Sequence, residues 1–404
     1  MREIRLSASS FSRFKAALMA RLDPGLGAGS AADRKHERFF DLCAATLLAL
    51  LEPFSILYGA AVVARASLYR RGTLKTYRPP CATVCVGNIT TGGTGKTPAV
   101  VLVCRVLQEM GMRVVVLSRG YGRSQSSMQT LAPGDLSCLE PEEASSRFGD
   151  EVLTLATRLE DVPIIVTADR ATAAKHACDK FAPDVLVMDD GFGHLRLERD
   201  LDILMFDAKY PFANRKLLPC GTLREPLWAI ARARVAIISR SDQCGSDELA
   251  ATDEGILRYS PDIDVIHSTH RPAGLRGISD SSSLSLDHLS GKSVLAFCGI
   301  ARPESFFSTL SALGAKVTGV PFPDHHAYTR QEIKTLLSQG QSGGFDLIVT
   351  TDKDAARLAG LSDEEARQLL VLRVELALLG QDDVERLRRA LAVAVQARSD
   401  VAPS

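Results

Sequence analysis

The residues with the clearest chemical purpose form a glycine- and threonine-rich stretch, GNITTGGTGKT, from Gly87 to Thr97. It follows a β-branched run and precedes a helical pattern, which is the strand, loop, helix order of a phosphate-binding loop (P-loop). Lys96 could reach the β and γ phosphates of a nucleotide, and the hydroxyl of Thr97 could ligate Mg²⁺. The residues predicted to bind the nucleotide are Thr90, Thr91, Gly92, Gly93, Thr94, Gly95, Lys96 and Thr97.

The loop departs from the common G-x-x-x-x-G-K-T pattern, because Thr90 stands where that pattern has its first glycine. A glycine-rich turn with a solvated lysine is the alternative interpretation. The order of strand, loop and helix around the stretch favours phosphate binding.

Two adjacent carboxylates, Asp189 and Asp190, end the apolar run VLVMDD. In P-loop enzymes an acidic residue after a neighbouring strand holds Mg²⁺ together with the loop hydroxyl. We therefore predict Thr97, Asp189 and Asp190 as metal ligands, without choosing between the two carboxylates. Asp207 follows a similar run, ILMF, but a lone carboxylate there could simply begin a turn.

Short apolar strands alternate with helical patterns after residue 80, which favours a parallel, doubly wound sheet covered on both faces. Strands are predicted at residues 83–86, 113–117, 163–166, 185–188 and 203–206, and helices at 98–110, after Gly149 and at 171–181.

The pattern restarts after a serine-rich stretch at residues 279–291. Further strands are predicted at 293–298, 316–320 and 347–350, with helices at 303–313 and 329–338 and a helical tail. The predicted fold is thus α/β, with a P-loop doubly wound parallel sheet, a second, smaller α/β domain and an N-terminal membrane-associated helical segment. The predicted divisions are residues 1–78 for the N-terminal extension and docking segment, 79–240 for the P-loop domain, 241–290 for a linker region and 291–404 for the smaller domain.

Composition narrows the class of protein. A chain of 404 residues with 46% hydrophobic residues can bury more than one core. The 48 Lys and Arg residues match 48 Asp and Glu residues, so no global basic field would draw the protein to nucleic acid. The nine scattered cysteines offer no paired CxxC units, which predicts a reducing cytoplasm and no zinc cage.

The stretch from Phe39 to Tyr69 is largely apolar, interrupted by Asp41, Glu52, Pro53 and Arg65. Two apolar runs of about a dozen residues, broken by a proline, fit helices lying in the membrane interface better than one helix crossing the bilayer. A buried amphipathic helix pair is the alternative.

Basic residues on both sides of this stretch could meet anionic headgroups at the cytoplasmic side. They are Arg34, Lys35, Arg38, Arg65, Arg70, Arg71, Lys75 and Arg78. Residues 1–38 are polar and lack the apolar core of an export signal, so the apolar stretch is the predicted membrane dock.

A set of motifs in a fixed order resembles the tetraacyldisaccharide 4'-kinases, over residues 57–358. The motifs are LYG and LYRRG, VGNITTGGTGKTP, SRGYGR, GDE at 149–151, DDGFGH, LLPCGTLREP at 217–226, FCGIARPESFF, FPDHH at 322–326 and TTDKDAARL. The phosphate loop of that family also lacks the first glycine, which accounts for Thr90. The chain departs from the family at Gly193, where glutamine is usual, and in its additional residues 1–38.

The resemblance implies transfer of the γ-phosphate of ATP, with Mg²⁺, to the 4'-hydroxyl of a tetraacyldisaccharide 1-phosphate, a lipid A precursor, forming lipid IVA. The reaction would occur at the cytoplasmic face of the bacterial inner membrane. The partners it implies are the acylated disaccharide and the inner membrane surface. Neither nucleic acid nor an obligate protein partner is predicted.

The resemblance also assigns roles to single residues. Asp150 of GDE would be the general base, with His325 of FPDHH orienting it or sharing its proton, and Lys96 would complete the catalytic set. From the residues alone, a helix N-cap at Asp150 and an ordinary loop histidine at His325 are the alternatives.

Further polar side chains are candidates for binding the glycolipid headgroup, because they follow a strand end or lie in a turn-rich loop or, for Asn88 and His194, because the resemblance implies it. They are Asn88, Arg119, Tyr121, His194, Arg224 and Glu225. Turn capping at Asn88 and His194, and a surface ion pair at Arg224 and Glu225, are the alternatives.

The rival function is a membrane-recruited P-loop ATPase switch with a protein partner. Such a switch has no need of the late motifs or of a second α/β domain. A GTPase is disfavoured because Ala355 stands two residues after Lys353, where the guanine-reading N-K-x-D motif has aspartate.

Overall fold

The computed structural model describes residues 18–19, 21–22, 34–121, 123–278, 283–300, 303–324, 326–358 and 361–399. The chain divides into two compact units. Unit 1 comprises residues 1–96, 190–269 and 378–404, and unit 2 comprises residues 97–189 and 270–377.

The helices and strands of the described residues follow one another in this order: α1 (Arg34–Arg70), β1 (Ala82–Gly87), α2 (Lys96–Glu109), β2 (Val114–Ser118), β3 (Gln129–Leu131), α3 (Pro141–Phe148), α4 (Asp150–Ala156), β4 (Ile164–Val166), α5 (Arg170–Phe181), β5 (Val185–Asp189), β6 (Leu201–Asp207), β7 (Val235–Ser239), α6 (Ser246–Leu257), β8 (Asp264–Gly277), β9 (Ser283–Leu284), β10 (Ser293–Cys298), α7 (Pro303–Ala312), β11 (Lys316–Pro321), α8 (Arg330–Ser342), β12 (Leu347–Thr351), α9 (Asp352–Ala355), α10 (Asp363–Arg367), β13 (Leu369–Leu378) and α11 (Gln381–Ser399).

Unit 1 contains a parallel arrangement of strands in the order β1, β6, β7, β8. Every residue of β1, β6 and β7 is buried, so these strands show no alternation of buried and exposed positions, as expected for a parallel sheet covered on both faces. The strand β8 continues the sheet beyond residue 241, in the region predicted as a linker.

Unit 2 contains two sets of strands. In the first, β5, β2 and β4 are parallel and β3 closes the edge antiparallel to β4. In the second, β11, β10, β12 and β13 are all parallel. The predicted α/β fold with parallel strands, including the smaller set of strands after residue 290, is confirmed.

The strand β10 explains how the second set is held on both faces. Val294, Ala296 and Cys298 pack in one cluster with Phe306 and Leu310 of α7. The alternate residues of β10 pack on the opposite face with α8, because successive strand side chains point to opposite sides. This second cluster comprises Leu295, Phe297, Ile333, Leu336 and Leu337.

The predicted break at Pro53 is wrong, because α1 continues through the proline. An internal proline costs about 3 kcal/mol, and the leucine- and alanine-rich turns on either side supply enough helical hydrogen bonds to offset it. The alternative of a buried helix pair is also wrong. Leu50, Phe54 and Leu57 are 68%, 61% and 66% exposed. Residues 42–70 are long and apolar enough to cross a membrane, judged by length and composition alone.

The tail is not wholly helical, since Leu369–Leu378 forms the strand β13 before the helix α11 begins. The run LLVLRVELAL has no strict alternation, and periodicity cannot separate a strand buried on both faces from a helix. Pairing with β12 decides the structure of this segment.

Candidate functional site

The phosphate loop joins β1 to α2, as predicted. Inside it, the side-chain amide of Asn88 donates to the hydroxyl of Thr94 at 3.0 Å, and both side chains are buried. The ammonium of Lys96 donates to the carbonyl of Gly92 at 3.3 Å. The loop is therefore shaped by its own side chains, and Lys96 and the buried Thr97 stand at the first turn of α2.

The motif loop LLPCGTLREP, residues 217–226, is bonded directly to the phosphate loop. The amide of Thr91 donates to the carbonyl of Thr222 at 2.7 Å, and the amide of Arg224 donates to the carbonyl of Ile89 at 2.7 Å. The guanidinium of Arg224 also donates to the side-chain oxygen of Asn88. These bonds fix Arg224 beside the phosphate loop within unit 1.

Arg224 binds both carboxylate oxygens of Asp190, with distances of 3.0 Å from Nη1 to Oδ2 and 2.7 Å from Nη2 to Oδ1. Burial acts to lower the pKa of Arg224, but the hydrogen bond and charge of Asp190 outweigh it, so the pKa is raised. Asp190 has a φ of 49°, and its amide donates to the carbonyl of Val86. Asp190 is therefore held in an ion pair with a permanent cation.

Glu225 is buried and pairs with Arg232 at 3.2 Å. Burial raises the pKa of Glu225, and the charge of Arg232 opposes that effect. The guanidinium of Arg232 lies over the ring of Phe192, 4.0 Å from its centroid. Arg232 therefore connects Glu225 of the motif loop with Phe192 of the DDGFGH loop.

The DDGFGH loop also lies against the start of the phosphate loop. A Cβ at Gly87 would come within 2.8 Å of the Cβ of Phe192, so glycine is required there. At the departing position Gly193, a Cβ would lie 3.4 Å from a carboxylate oxygen of Glu225. The amide of His194 donates to the carbonyl of Gly191 at 2.8 Å, which places His194 in the same turn.

The apolar helix α1 is attached to the motif loop by side chains from successive turns. The hydroxyl of Ser55 donates to the carbonyl of Leu217 at 2.9 Å, and the hydroxyl of Tyr58 donates to the carbonyl of Arg224 at 2.9 Å. Lys216 pairs with Glu52 at 2.8 Å. The exposed apolar helix and the candidate site are thus parts of one compact unit.

Arg240 is a site residue that sequence reasoning missed. It pairs with Asp207, the carboxylate that ends β6, and donates to the carbonyl of Gly93 in the phosphate loop at 3.2 Å. The carboxylate of Asp207 also accepts from the amide of Lys209 at 3.0 Å, as a turn residue does. No local pattern marks Arg240, because its partners come from distant parts of the chain.

In unit 2, the buried carboxylate of Asp189 accepts a hydrogen bond from the hydroxyl of Ser118 at 3.0 Å. Ser118 ends β2 and begins the SRGYGR motif. After it, Arg119 and Tyr121 are exposed, with Tyr121 at 70%. The structure thus places these two candidates at a surface loop that follows the strand end.

The alternative interpretation of Asp150 as a helix N-cap is wrong, because Gly149 occupies the cap and Asp150 is the first residue of α4. Gly149 has a φ of 81°, and a Cβ there would come within 2.5 Å of the carbonyl oxygen of Tyr121. The carboxylate of Asp150 accepts from Nε of Arg357 at 2.6 Å. Its predicted partner His325 lies outside the described residues.

The donor set fits Mg²⁺ held between a nucleotide and few protein oxygens. Among the residues that the structure describes, no group of three or more His, Cys, Asp or Glu side chains could hold a metal. Mg²⁺ commonly uses one or two carboxylates together with substrate phosphates and water. The predicted ligands, the hydroxyl of Thr97 and a carboxylate at the end of β5, are of the types that match this preference.

Comparisons with known proteins agree with this arrangement. The family model described as tetraacyldisaccharide-1-P 4'-kinase matches residues 47–393. A tetraacyldisaccharide 4'-kinase of Anaeromyxobacter sp. (strain K) is 40% identical over 361 residues, covering 88% of this chain and 93% of that relative. One from Syntrophus aciditrophicus is 35% identical over 349 residues, covering 84% and 91%.

Among solved structures, LpxK from Aquifex aeolicus in complex with ATP superimposes with a TM-score of 0.67 at 29% identity. The match covers 86% of this chain and 99% of the other. The family model and the curated relatives each span most of the chain, and the motifs that define the site fall within those spans. The chain belongs to the tetraacyldisaccharide 4'-kinase family.

Proposed function

We propose that this protein transfers the γ-phosphate of ATP to the 4'-hydroxyl of a tetraacyldisaccharide 1-phosphate, forming lipid IVA. The observation that carries the proposal is the bonding of the phosphate loop to the motif loop at Thr91 and Arg224. A phosphoryl transfer enzyme works mainly by positioning and charge stabilisation, so the nucleotide-binding loop and the acceptor-binding loop must be fixed relative to each other.

On the nucleotide side, Lys96 would contact the β and γ phosphates, and Thr97 would contribute its hydroxyl to Mg²⁺. Asp189 is the better candidate for the metal carboxylate. Both oxygens of Asp190 accept hydrogen bonds from the Arg224 cation, which competes with a metal ion for that carboxylate, and Asp189 ends β5 at the strand position expected of the metal ligand. Mg²⁺ supplies charge neutralisation of the phosphates when bound.

On the acceptor side, Asp150 would take the proton of the 4'-hydroxyl, with His325 as its partner in that step. A carboxylate at the first turn of α4 with 28% of its side chain exposed can reach a bound hydroxyl. The candidates for binding the headgroup remain Asn88, Arg119, Tyr121, His194, Arg224 and Glu225.

We also propose that α1 binds the cytoplasmic face of the inner membrane. Its exposed apolar side chains would enter the acyl region, and its bonds to residues 217–224 would bring the motif loop to a lipid acceptor at the surface. The proposal includes no nucleic acid and no obligate protein partner.

The rival, a membrane-recruited ATPase switch, is not favoured. It gives no purpose to the bonded pair of loops or to the motifs that follow residue 290.

The test is product formation. Purified protein is incubated with labelled ATP, Mg²⁺ and a tetraacyldisaccharide 1-phosphate in detergent, and the lipids are separated by thin-layer chromatography. We expect a doubly phosphorylated lipid and little ATP hydrolysis without the acceptor. Acceptor-independent hydrolysis at the same rate, with no labelled lipid, would support the switch instead.

A further inference from the structure

Two short helices of unit 2 are joined at both ends by reciprocal ion pairs, an arrangement that we name the α4–α9 clasp. Asp150 begins α4 and pairs with Arg357, just beyond the end of α9. Asp352 begins α9 and pairs with Arg158, just beyond the end of α4. Each helix therefore supplies one aspartate and is followed by one arginine.

The members of the clasp differ in burial. The side chains of Arg357, Arg158 and Asp352 are only 5%, 7% and 7% exposed, whereas that of Asp150 is 28% exposed. A buried ion pair is weak evidence for stability, because desolvation offsets much of the Coulomb attraction. The more exposed aspartate is the one that a substrate can reach.

Arg357 also contacts the fully buried carboxylate of Asp354. Its Nη1 donates to the carbonyl of Gly299 at 3.0 Å and lies 3.4 Å from Oδ1 of Asp354. Asp354 in turn accepts from the amide of Gly299 at 2.9 Å, the hydroxyl of Thr351 at 2.6 Å and the hydroxyl of Tyr328 at 3.0 Å. The guanidinium thus has a fixed orientation.

Tyr328 adds the FPDHH motif to this network, because it follows His326 by two residues. Burial, and then the charge of Asp354, raise the pKa of Tyr328, so its hydroxyl stays a proton donor over the working pH range. The contacts run from Tyr328 through Asp354 and Arg357 to Asp150. Asp354 and Arg357 belong to the TTDKDAARL motif, to which the proposed nucleotide-binding and acceptor-binding residues assign no function.

We propose that Arg357 is a positioning residue for the phosphoryl transfer: it holds the carboxylate of Asp150 in the orientation that accepts the proton of the acceptor hydroxyl. The inference rests on the proposed function, in which Asp150 is the base. A guanidinium that binds one carboxylate oxygen through Nε restricts rotation of the carboxylate, and a misplaced base costs rate more than it costs binding.

The chain offers a matched control. Arg158 is as buried as Arg357, pairs with an aspartate of the same clasp and donates to the carbonyl of Val374 at 2.8 Å, but it does not bind the candidate base. Loss of either arginine should weaken the clasp to a similar degree. Only the loss of Arg357 should alter the chemical step.

The experiment compares Arg357→Ala, Arg357→Lys and Arg158→Ala in kcat, KM for ATP, KM for the lipid and melting temperature. We expect Arg357→Ala to lower kcat by about 10- to 100-fold with little change in KM for ATP. Arg357→Lys should recover part of the loss, since it can still make one charged hydrogen bond. Arg158→Ala should lower the melting temperature comparably and kcat by less than about threefold.

Equal kcat losses in the two alanine variants would overturn the inference, because the clasp would then be structural only. An unchanged or raised kcat in Arg357→Ala would also overturn it. If Arg357→Ala does not fold, Arg357→Lys decides: a reduced kcat with unchanged KM for ATP supports the inference, and a wild-type kcat overturns it.

The companion variant Asp150→Ala separates this inference from the proposed function. In that background, Arg357→Ala should cause no further loss of kcat, because both residues act through one carboxylate. If Asp150→Ala alone still forms the phosphorylated lipid at the wild-type rate, the inference fails while the kinase function stands.

Discussion

Arg224 binds Asp190 through two hydrogen bonds of 3.0 Å and 2.7 Å, and this ion pair distinguishes Asp190 from the adjacent Asp189. The sequence could not distinguish Asp189 from Asp190 as a metal ligand. In the structure, Asp190 is paired with a cation that also reaches Asn88 of the phosphate loop. Arg224 therefore links the DDGFGH loop and the phosphate loop to the motif loop.

The first prediction is that Arg224→Lys lowers kcat by about tenfold or more, because an ammonium cannot bind both oxygens of Asp190 and Asn88 together. Steady-state phosphorylation of the lipid measures the effect. The control is Arg113→Lys, which alters a bidentate pair with Asp184. These two residues directly precede β2 and β5, at the strand ends away from Asp189, so the variant should keep wild-type kcat. Equal activity of the two variants would contradict a role for the two hydrogen bonds from Arg224 to Asp190.

The second prediction is that Lys96→Ala lowers turnover by about a thousandfold, because charge stabilisation of the transferred phosphoryl group is lost. Lys209→Ala, at an exposed lysine after β6, is the control. Circular dichroism verifies the fold of both. Near-wild-type turnover in folded Lys96→Ala would remove the P-loop assignment.

The third prediction concerns the membrane. Replacing Leu50, Phe54 and Leu57 together by serine should abolish sedimentation with anionic vesicles, since these exposed side chains lie on one face of α1 and contribute little to packing. Turnover of a micellar lipid should fall with it. Val393→Ser, at a residue 61% exposed on α11, is the control and should sediment like the wild type.

Retention of the triple variant on vesicles would place the membrane dock elsewhere in the chain. Deletion of residues 1–70 is a less selective test of the same point, because it also removes the bonds of Ser55 and Tyr58 to the motif loop.

The fourth prediction concerns the FPDHH loop, which Glu332 holds to α8. Hydrogen bonds from the Thr329 amide, the Thr329 hydroxyl and His326 lower the pKa of Glu332 from 4.5 to about 2. A carboxyl with a lowered pKa stabilises the folded state fully above its unfolded value, and that contribution is lost as pH falls towards the folded value. The melting temperatures of wild type and Glu332→Gln should therefore differ at pH 7 and converge between about pH 4.5 and pH 2. A difference independent of pH would rule out the charge effect.

The fifth prediction tests Asp150 with His325. If the histidine orients the carboxylate or relays its proton, the double alanine variant should be at most about twofold slower than the slower single variant. Each single variant should still bind ATP, since neither residue belongs to the phosphate loop. Losses that multiply would show independent roles.

The sequence predicted correctly those parts of the protein whose structure depends on residues close together in the chain. The glycines, Lys96 and Thr97 of the phosphate loop act through consecutive backbone groups, so their order in the chain already specifies their chemistry. The strands β1, β2, β5 and β6 are short apolar runs followed by turn residues, and each of them matched within two residues. The position of Asp189 at the end of β5 was predicted for the same reason, because the end of a strand can be recognised locally.

Only the tertiary structure decided the partners of the charged side chains. Asp150 and Arg357 are 207 residues apart, and Arg224 and Asn88 are 136 residues apart, so neither pair leaves a periodic signal. At Pro53 the sequence rule failed, because the helical turns on both sides of the proline outweigh its local cost. At β13 it failed because pairing with β12, not periodicity, selects a strand over a helix. Local order along the chain determines which groups can do chemistry, whereas long-range pairing determines the direction in which each of them is held.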